Sequence, residues 1–443
     1  MPITPARAAA FDILLRVEQE DAYSSELLHS PQYSKLSHAD HGLATELVMG
    51  VLRWRSLLDA NIANVSSQSL QKLDPEVLTA LRLAAYQLAF LNRIPERAAV
   101  HESVELVKRA RKRSAVPFAN AVLRKLAQNK GDSKISKQNL GSAADFAATF
   151  AHPTWLVERW VKQFGVETVR AICEYDQKIP ETSIRISDAS IEEELKQEKV
   201  ALESGWLLTS ARRVISGDIT RTQSFREGRV HIQDEASQLV ALLVGEGTSI
   251  LDCCAAPGGK TRMLAERNPE AAVLAAELHP HRARLLKKLV PAENLRVIST
   301  DIRALPFNMQ FDRVLADVPC SGTGTLARNP EIKWRLKAED LSELQTWQVA
   351  ILKSAMTQVK PGGRLVYSSC SLEREENSDV VEKAMASDLS FRIVDCRAEL
   401  ERLKTQGELA LQDFDSLVSE PYLRTIPGIH HCDGFFAAIL EKK

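Results

Sequence analysis

The fold of this chain is indicated most clearly by one stretch of sequence, Ser249-Ile-Leu-Asp-Cys-Cys-Ala-Ala-Pro-Gly-Gly-Lys-Thr261. Its apolar start breaks into an acidic residue, small residues and a glycine pair, and a helical pattern follows from Thr261. This order predicts a strand, a tight turn and the first turn of a helix. Such a turn lets a ligand approach the backbone closely and offers it the unpaired amides of a helix N-terminus.

The second half of the chain alternates helices with short apolar strands. The predicted strands are Ile250–Cys254, Val273–Ala276, Leu295–Ile298, Arg313–Ala316, Leu365–Tyr367 and Phe435–Leu440. Strands that alternate with helices form a parallel sheet covered by helices on both faces. We therefore predict a Rossmann-like, doubly wound α/β domain over residues 234–443, with ligands bound beyond the carboxyl ends of its strands.

The N-terminal part reads as helix throughout. Asp74-Pro75 offers an N-cap followed by proline at the first helical position, and leucines recur behind it at helical spacing. This predicts an all-α domain over residues 1–128. The polar stretch Gln128–Ser142 has the composition of a linker, which is predicted over residues 129–150.

A small α+β subdomain is predicted between the linker and the Rossmann-like domain. Ser183-Ile-Arg-Ile-Ser187 and Gly228-Arg-Val-His-Ile-Gln233 read as strands with helix between them. The predicted subdomain spans residues 151–233.

Composition limits the class of protein. With 443 residues, 44% apolar and 26% charged residues, the chain reads as a soluble protein of two or three domains. It has no apolar run of membrane-spanning length and no signal-peptide pattern, so we predict a cytoplasmic protein without a membrane partner. We also predict that it is a monomer. Seven scattered cysteines without C-x-x-C pairs argue against disulfides and zinc, so no metal is expected.

The net charge of −1 conceals a local excess of positive charge. Residues 1–150 carry 19 Lys and Arg against 15 Asp and Glu, which leaves a negative balance for the remainder. The cluster Lys108-Arg-Ala-Arg-Lys-Arg113, with Arg124 and Lys125, predicts a patch for RNA phosphates; a solvated helix end is the alternative. Arg328–Arg335 is a second basic segment that we expect to contact the substrate strand.

The loop Cys254-Ala255-Ala256-Pro257-Gly258-Gly259-Lys260 matches neither a P-loop nor the G-x-G-x-x-G fingerprint. Carboxylates follow successive strands; they are Asp252, Glu277, Asp301 and Asp317. Such a row would repel a polyphosphate but suits a ribose, an adenine amine and an ammonium group. It therefore favours S-adenosylmethionine over NAD or ATP, although each carboxylate alone is equally explained as a helix cap.

Two cysteines follow apolar strands in loops of small and hydroxyl residues: Cys320 in Asp317-Val-Pro-Cys-Ser-Gly-Thr-Gly324, and Cys370 in Tyr367-Ser-Ser-Cys-Ser371. The strands should be neighbours, which would place both sulfurs on one side of the cofactor. Cytosine C5 becomes nucleophilic when a thiolate adds to C6, and a second group must then help release. Chemistry alone does not decide which thiol attacks, and cysteines are often only small buried side chains.

These motifs, with Ile332-Lys-Trp334 and Glu375-Glu-Asn377, resemble the RNA 5-methylcytosine methyltransferases, and within them the Sun/Fmu group of bacterial small-subunit ribosomal RNA enzymes. The resemblance covers essentially the whole chain and includes a NusB-like helical N-terminal domain. It implies that Cys370 is the nucleophile, that Cys320 assists release, and that the loop with Glu277, Asp301 and Asp317 binds S-adenosylmethionine. One departure is Ser369, where the family usually has Thr.

Three alternatives remain. The same chemistry could serve tRNA instead of 16S rRNA. A non-catalytic RNA-binding assembly factor could keep the fold, although the intact thiols and cofactor loop argue against it. An amino-group methyltransferase needs an Asn/Asp-Pro-Pro-aromatic loop, which Asp317-Val-Pro-Cys320 does not provide.

Overall fold

A computed structural model describes residues 3–20, 22–129, 142–186, 188, 190–305 and 309–443. The chain divides into two compact units. Unit 1 comprises Met1–Ile179 with Leu326–Arg335, and unit 2 comprises Pro180–Thr325 with Leu336–Lys443. This division does not coincide with the predicted boundaries at residues 128, 150 and 233, because the helices after residue 150 fold with the N-terminal helices.

Unit 1 is helical. Its helices up to residue 176 are α1 (Pro5–Gln19), α2 (Ser24–Leu28), α3 (His38–Arg53), α4 (Arg55–Val65), α5 (Pro75–Phe90), α6 (Glu96–Arg109), α7 (Val116–Gln128), α8 (Ala143–Thr149), α9 (Thr154–Phe164) and α10 (Val166–Asp176). Helix α5 begins at Pro75 as predicted, and Leu81 and Leu83 on it are fully buried. The apolar faces of α1 to α7 share one hydrophobic core.

Part of the predicted linker is helical. Ser142 and Asp145 form a capping box that starts α8, with each side chain bonded to the other residue's backbone N–H. A reciprocal cap of this kind satisfies two otherwise unpaired amides. Residues 130–141 of the predicted linker lie outside the described residues.

The segment Leu326–Arg335 folds with unit 1, although in sequence it follows the Cys320 loop. Lys333 is 1% exposed, and its Nζ donates to the carbonyl oxygens of Arg53 and Ala151, both at 2.9 Å. Trp334 Nε1 donates to the Leu52 carbonyl at 2.6 Å. The expectation that this segment contacts RNA is therefore wrong for Lys333, because its charge is buried on backbone acceptors.

Unit 2 begins with a small antiparallel sheet. Its elements are β1 (Thr182–Ile186), α11 (Ser190–Gln197), β2 (Ala201–Ser204), β3 (Ala211–Ser216), α12 (Gln223–Arg226) and β4 (Val230–Ile232). The strand order is β2-β3-β1-β4. The two predicted strands of the α+β region, β1 and β4, are neighbours, and β2 and β3 were not predicted.

A nine-stranded sheet forms the centre of unit 2 within the described part of the chain. Its strands are β5 (Ser249–Asp252), β6 (Ala272–Glu277), β7 (Leu295–Ser299), β8 (Phe311–Asp317), β9 (Val359–Ser369), β10 (Phe391–Val394), β11 (Val418–Ser419), β12 (Tyr422–Arg424) and β13 (Phe436–Lys442). The order is β11-β12-β13-β9-β8-β5-β6-β7, and β10 pairs with β13.

Strands β5 to β9 are parallel, as predicted, but β13 runs antiparallel to β9. The expectation of an entirely parallel sheet is therefore wrong at this edge. An apolar run predicts a strand but not its direction, and the antiparallel strands β10 to β12 are too short to stand out in the sequence.

Helices cover both faces of the sheet. They are α13 (Glu235–Val244), α14 (Gly259–Arg267), α15 (Pro280–Leu289), α17 (Asp340–Thr357), α18 (Ser378–Met385) and α19 (Cys396–Thr405); the short helix α16 (Ile332–Arg335) belongs to unit 1. The sheet has a hydrophobic core on each face, and neighbouring residues of β5 belong to different cores. Ile250 packs with α13 and α14, and Leu251 packs with α17 and α18. This is the predicted doubly wound arrangement. No helix among the described residues is long and apolar enough to cross a membrane.

Candidate active site

The two predicted catalytic thiols lie side by side in unit 2. Strands β8 and β9 are adjacent and parallel, with Asp317 opposite Ser368, so the loops that follow them leave the same edge of the sheet. The Sγ atoms of Cys320 and Cys370 are 3.2 Å apart. Both cysteines are half-buried. Two sulfurs at this separation can meet neighbouring atoms of one substrate ring.

The surroundings of Cys320 raise its pKa. The hydrogen bond to Cys370 raises the pKa of Cys320 well above its usual value, and burial and the nearby charges of Cys370 and Glu376 add to this rise. A thiol with a raised pKa keeps its proton. Cys320 can therefore donate its proton to the Cys370 sulfur in the hydrogen bond between the two sulfurs.

One buried carboxylate joins the loops that carry the thiols. Glu376 is fully buried, and its Oε1 accepts the Ser321 N–H at 2.8 Å. Its Oε2 accepts the hydroxyls of Ser321 and Ser371, the residues that directly follow the two cysteines. Gln348 Nε2 donates to Oε1 at 2.8 Å. Multiple charge-assisted hydrogen bonds of this kind fix both loops relative to each other.

The Cys320 loop also rests on backbone contacts. The Gly324 N–H donates to the Cys370 carbonyl at 2.9 Å, and the Gly434 N–H donates to the Gly324 carbonyl at 2.7 Å. A Cβ atom on Gly324 would overlap the carbonyl of Gly434. Glycine is required here because two backbones meet at hydrogen-bonding distance.

The loop Cys254–Lys260 turns sharply into α14. Gly258 has φ +116°, and a Cβ atom there would lie 2.5 Å from Leu286 Cδ1 and 2.8 Å from Val290 Cγ2. Thr261 Oγ1 donates to Asp252 Oδ2 at 2.7 Å, which ties the start of the helix to the end of β5. The loop therefore has the strand, turn and helix start that the sequence predicted.

The strand-end carboxylates occupy one edge of the sheet, because β8, β5, β6 and β7 are consecutive neighbours. Asp317 accepts hydrogen bonds from Lys260 Nζ and Ser368 Oγ, both at 2.7 Å. Glu277 is 5% exposed, and its Oε1 accepts the His279 N–H at 3.0 Å. The carboxylates of Asp317 and Glu277 therefore already accept hydrogen bonds from other groups of the protein.

Asp301 differs from the others in the row. Arg303 binds both of its carboxylate oxygens, with Nη2 2.7 Å from Oδ2. The hydrogen bond from the Arg303 side chain lowers the pKa of Asp301, while the Arg303 N–H donates to Oδ1. The predicted role of Asp301 as a cofactor ligand stays a prediction, and its partner Arg303 was not foreseen.

The edge suits S-adenosylmethionine. Asp252 is 1% exposed, and its Oδ1 has no hydrogen-bond partner within the described protein. Burial raises the pKa of Asp252 to about 7, and the charge of Asp317 adds to the rise. Carboxylate acceptors at Glu277, Asp301 and Asp317 match the hydroxyl, amine and ammonium donors of that cofactor. The described residues contain no group of three or more potential metal ligands.

The predicted basic patch in unit 1 is partly neutralised. Lys108 pairs with Glu105 at 2.7 Å, and Arg109 pairs with Asp12 at 2.7 Å. Lys112 also pairs with two acidic side chains. The exposed cations that remain in the cluster are Arg111, Arg113, Arg124 and Lys125. The patch is smaller than the sequence implied, and its binding of RNA stays a prediction.

Sequence reasoning did not identify the supports of the thiols. In the sequence, Ser321 and Ser371 stand out only as the residues after the two cysteines, and Glu376 only as part of the motif Glu375-Glu-Asn377. Their short separation from the cysteines was a signal, but nothing in the sequence distinguishes Glu376 from Glu373 and Glu375.

Comparisons with known proteins agree with this architecture. Residues 239–441 match the family model described as 16S rRNA methyltransferase RsmB/F, and residues 4–128 match the NusB family. A probable ribosomal RNA small subunit methyltransferase B of Bacillus subtilis is 33% identical, and each chain is covered completely. Ribosomal RNA small subunit methyltransferase B of Vibrio cholerae is 29% identical over 100% of this chain and 98% of its own length.

The crystal structure of PH0851 superposes with a TM-score of 0.77 at 23% identity and covers both chains completely, which supports the fold. The fold and the site define a methyltransferase that takes its methyl group from S-adenosylmethionine. The chain belongs to the RsmB/F family of 16S rRNA methyltransferases. The predicted NusB-like N-terminal domain, the Rossmann-like domain and the cofactor are therefore confirmed.

Proposed function

We propose that this enzyme methylates C5 of one cytosine in 16S rRNA through a covalent intermediate between Cys370 and the base. The observation that carries the proposal is the 3.2 Å separation of the Cys320 and Cys370 sulfurs at the cofactor edge of the sheet. An amino-group methyltransferase has no need of paired thiols. A methyl transfer to the weakly nucleophilic C5 carbon does need covalent activation.

Cys370 starts the reaction. Its thiolate adds to C6 of the cytosine, and the electrons of the C5–C6 double bond move towards C5. Cys320 supports this step because its raised pKa keeps a proton on its sulfur, and that proton is donated to the Cys370 sulfur. The hydrogen bond stabilises the thiolate before attack.

Cys320 assists release. Once C5 carries the methyl group, a base removes the C5 proton, the double bond re-forms, and the bond from C6 to the Cys370 sulfur breaks. Bonding of Cys370 to C6 removes the largest cause of the raised pKa of Cys320. Cys320 then loses its own proton more readily to solvent and, as a thiolate, accepts the proton from C5.

S-adenosylmethionine, when bound, supplies an electrophilic methyl group. The residues that would hold it are Cys254, Ala255, Ala256, Pro257, Gly258, Gly259, Lys260, Glu277, Asp301 and Asp317. The target base has to leave its stack to reach the thiols. We assign the positioning of the RNA to the NusB-like domain and the subdomain of β1 to β4, largely through phosphates, in an enzyme that acts as a monomer.

Two variants test the roles of the thiols. Unmodified 16S rRNA is incubated with S-adenosylmethionine and full-length Cys370→Ala or Cys320→Ala, and both 5-methylcytosine and protein–RNA adducts are measured. Cys370→Ala should abolish turnover without an adduct. Cys320→Ala should attack but release poorly, so that a denaturation-resistant adduct accumulates.

Cys396→Ala is the matched control, because Cys396 is a buried cysteine on α19 that packs in the core. It should retain turnover without trapping RNA. An adduct formed by Cys370→Ala instead of Cys320→Ala would reverse the two roles. Methylation of tRNA but not of 16S rRNA would refute the proposed substrate while leaving the chemistry intact.

A further inference from the structure

Three side chains of unit 2 form a layered stack. The rings of Trp206 and His431 have centroids 4.0 Å apart and an interplanar angle of 17°. The guanidinium carbon of Arg213 lies 4.3 Å from the Trp206 ring centroid. Two groups cannot occupy one face of a ring at these separations, so the order of the layers is Arg213, Trp206 and His431.

The stack is held rigidly by the start of α13. The fully buried carboxylate of Glu235 accepts the N–H groups of Trp206, Leu207 and Leu208 at 2.9, 2.7 and 3.0 Å. The neighbouring carboxylate of Asp234 accepts the N–H of Asp433 at 3.2 Å, two residues after His431. The consecutive residues Asp234 and Glu235 thus hold the two chain segments that carry the rings of His431 and Trp206.

One end of the stack is open. Arg213 pairs with Glu181 at 3.0 Å and with Glu203, which closes its end. Trp206 is 39% exposed, and His431 is exposed. Among the described residues, the only ring that stacks on His431 is Trp206. The face of His431 that points away from Trp206 is therefore not covered by another ring of the described residues.

The chain segment that carries His431 is connected by hydrogen bonds to the loops of the thiols. Gly434 follows His431 by three residues, which span at most ~11 Å. The Gly434 N–H donates to the Gly324 carbonyl at 2.7 Å, and the Gly324 N–H donates to the Cys370 carbonyl at 2.9 Å. The segment that carries His431 is thus joined, through Gly434 and Gly324, to the loops of Cys320 and Cys370.

We propose that the open face of His431, backed by Trp206 and Arg213, is a platform on which an unpaired RNA base next to the target cytosine stacks. This inference rests on the proposed function. A cytosine that leaves its stack exposes the faces of its neighbours. Proteins hold such unpaired bases on aromatic rings, and stacking tolerates any base because every base has a flat face.

The test compares full-length His431→Ala and Trp206→Ala with the parent enzyme on a 16S rRNA transcript. KM for RNA should rise roughly 5- to 100-fold in each, while KM for S-adenosylmethionine stays within about twofold. His431→Phe should restore the parental KM, because it retains a flat ring. The dependence of RNA affinity on salt should be unchanged, since stacking displaces no counterions.

Leu389→Ala is the matched control, because Leu389 is 80% exposed on unit 2 and has no place in the site. The platform is refuted if His431→Ala raises KM no more than this control, or if His431→Phe fails to rescue it. A changed salt dependence would also refute it, since that result identifies a phosphate contact.

A binding assay separates this inference from the proposed function. RNA labelled with fluorescent 2-aminopurine beside the target position should lose fluorescence on binding to the parent enzyme but much less on binding to His431→Ala. If the parent enzyme quenches the 2-aminopurine fluorescence but forms no 5-methylcytosine, the proposed chemistry alone is refuted. Equal quenching by parent and His431→Ala would refute the platform alone.

Discussion

The Sγ atoms of Cys320 and Cys370 lie 3.2 Å apart, although 50 residues separate them in the chain. Two features bring them together: strands β8 and β9 are parallel neighbours, and Glu376 binds the residue after each cysteine. The C5 and C6 atoms of cytosine are directly bonded to each other. A pair of adjacent sulfurs is therefore suited to act on both atoms without movement of either loop.

Their separation predicts sensitivity to oxidation. An electrophilic azo oxidant such as diamide can take two electrons and two protons from the pair, and closure to a disulfide requires the sulfurs to approach to about 2.05 Å. We expect loss of methyltransferase activity and a Cys320–Cys370 disulfide by peptide mass spectrometry, both reversed by dithiothreitol. Cys320→Ser should form no such cross-link. Inactivation of the parent enzyme without this disulfide would contradict the prediction.

Glu376→Gln should impair catalysis more than cofactor binding. The Gln amide has one acceptor oxygen, so if this oxygen binds the Ser321 N–H and Gln348 Nε2, the NH2 group replaces the oxygen that accepts the two serine hydroxyls. The charge-assisted hydrogen bonds of the carboxylate are lost in either orientation. Small displacements of reacting groups are costly, so we expect kcat to fall roughly 10- to 100-fold with an unchanged affinity for S-adenosylmethionine. The exposed Glu382→Gln serves as the control. Equal kcat values for both variants would show that Glu376 does not position the thiols.

The sequence was sufficient to predict the thiol pair, because Cys320 and Cys370 follow apolar strands that are consecutive in a doubly wound sheet. The sequence was not sufficient to predict that the Glu376 carboxylate joins the two loops. This contact depends on how the chain folds back after Cys370, which no sequence periodicity indicates. Asp301 shows a different limit: the row of strand-end carboxylates was predicted, but the pairing of Asp301 with Arg303 depends on side-chain positions.

The fold was predictable to a similar extent. Alternating apolar and helical segments predicted β5 to β9, whose buried runs have a strong pattern. The direction of β13 was not predictable, because an apolar strand has the same pattern in either direction. The burial of Lys333 in unit 1 was also unforeseen, since a basic residue in a polar segment normally lies in solvent.

Gly258→Ala should weaken cofactor binding. The new Cβ would lie 2.5 Å from Leu286 Cδ1, so the loop has to move away from α15. Gly362→Ala separates this steric effect from backbone strain, because Gly362 also has positive φ, +72°, but has no atom within 4 Å of its added Cβ. We expect Kd for S-adenosylmethionine to rise roughly 5- to 150-fold in Gly258→Ala, from ~1–3 kcal/mol of overpacking, and to stay unchanged in Gly362→Ala. Calorimetric titration of both variants measures this, and equal affinities would contradict the steric argument.

Asp252→Asn should change how stability depends on pH. Burial raises the pKa of Asp252 from its ordinary value of 3.8 to about 7 in the folded protein. Between these values the folded state binds more protons than the unfolded state, so the contribution of Asp252 to stability falls as pH rises. Asn retains an acceptor for Thr261 and does not titrate. Relative to the parent, the Tm of Asp252→Asn without cofactor should therefore increase by ~2–6 °C between about pH 5 and pH 8.

Asp388→Asn is the control for this pH effect. The Ser390 hydroxyl lowers the pKa of Asp388, so this carboxyl is already ionised throughout the same pH interval in both the folded and the unfolded protein. The difference in Tm between Asp388→Asn and the parent should therefore be constant from about pH 5 to pH 8. A constant difference for Asp252→Asn as well would mean that Asp252 is ionised in the folded protein. The carboxylate row would then carry its full negative charge at neutral pH, and Lys260, which pairs with Asp317 at 2.7 Å, would have to balance it.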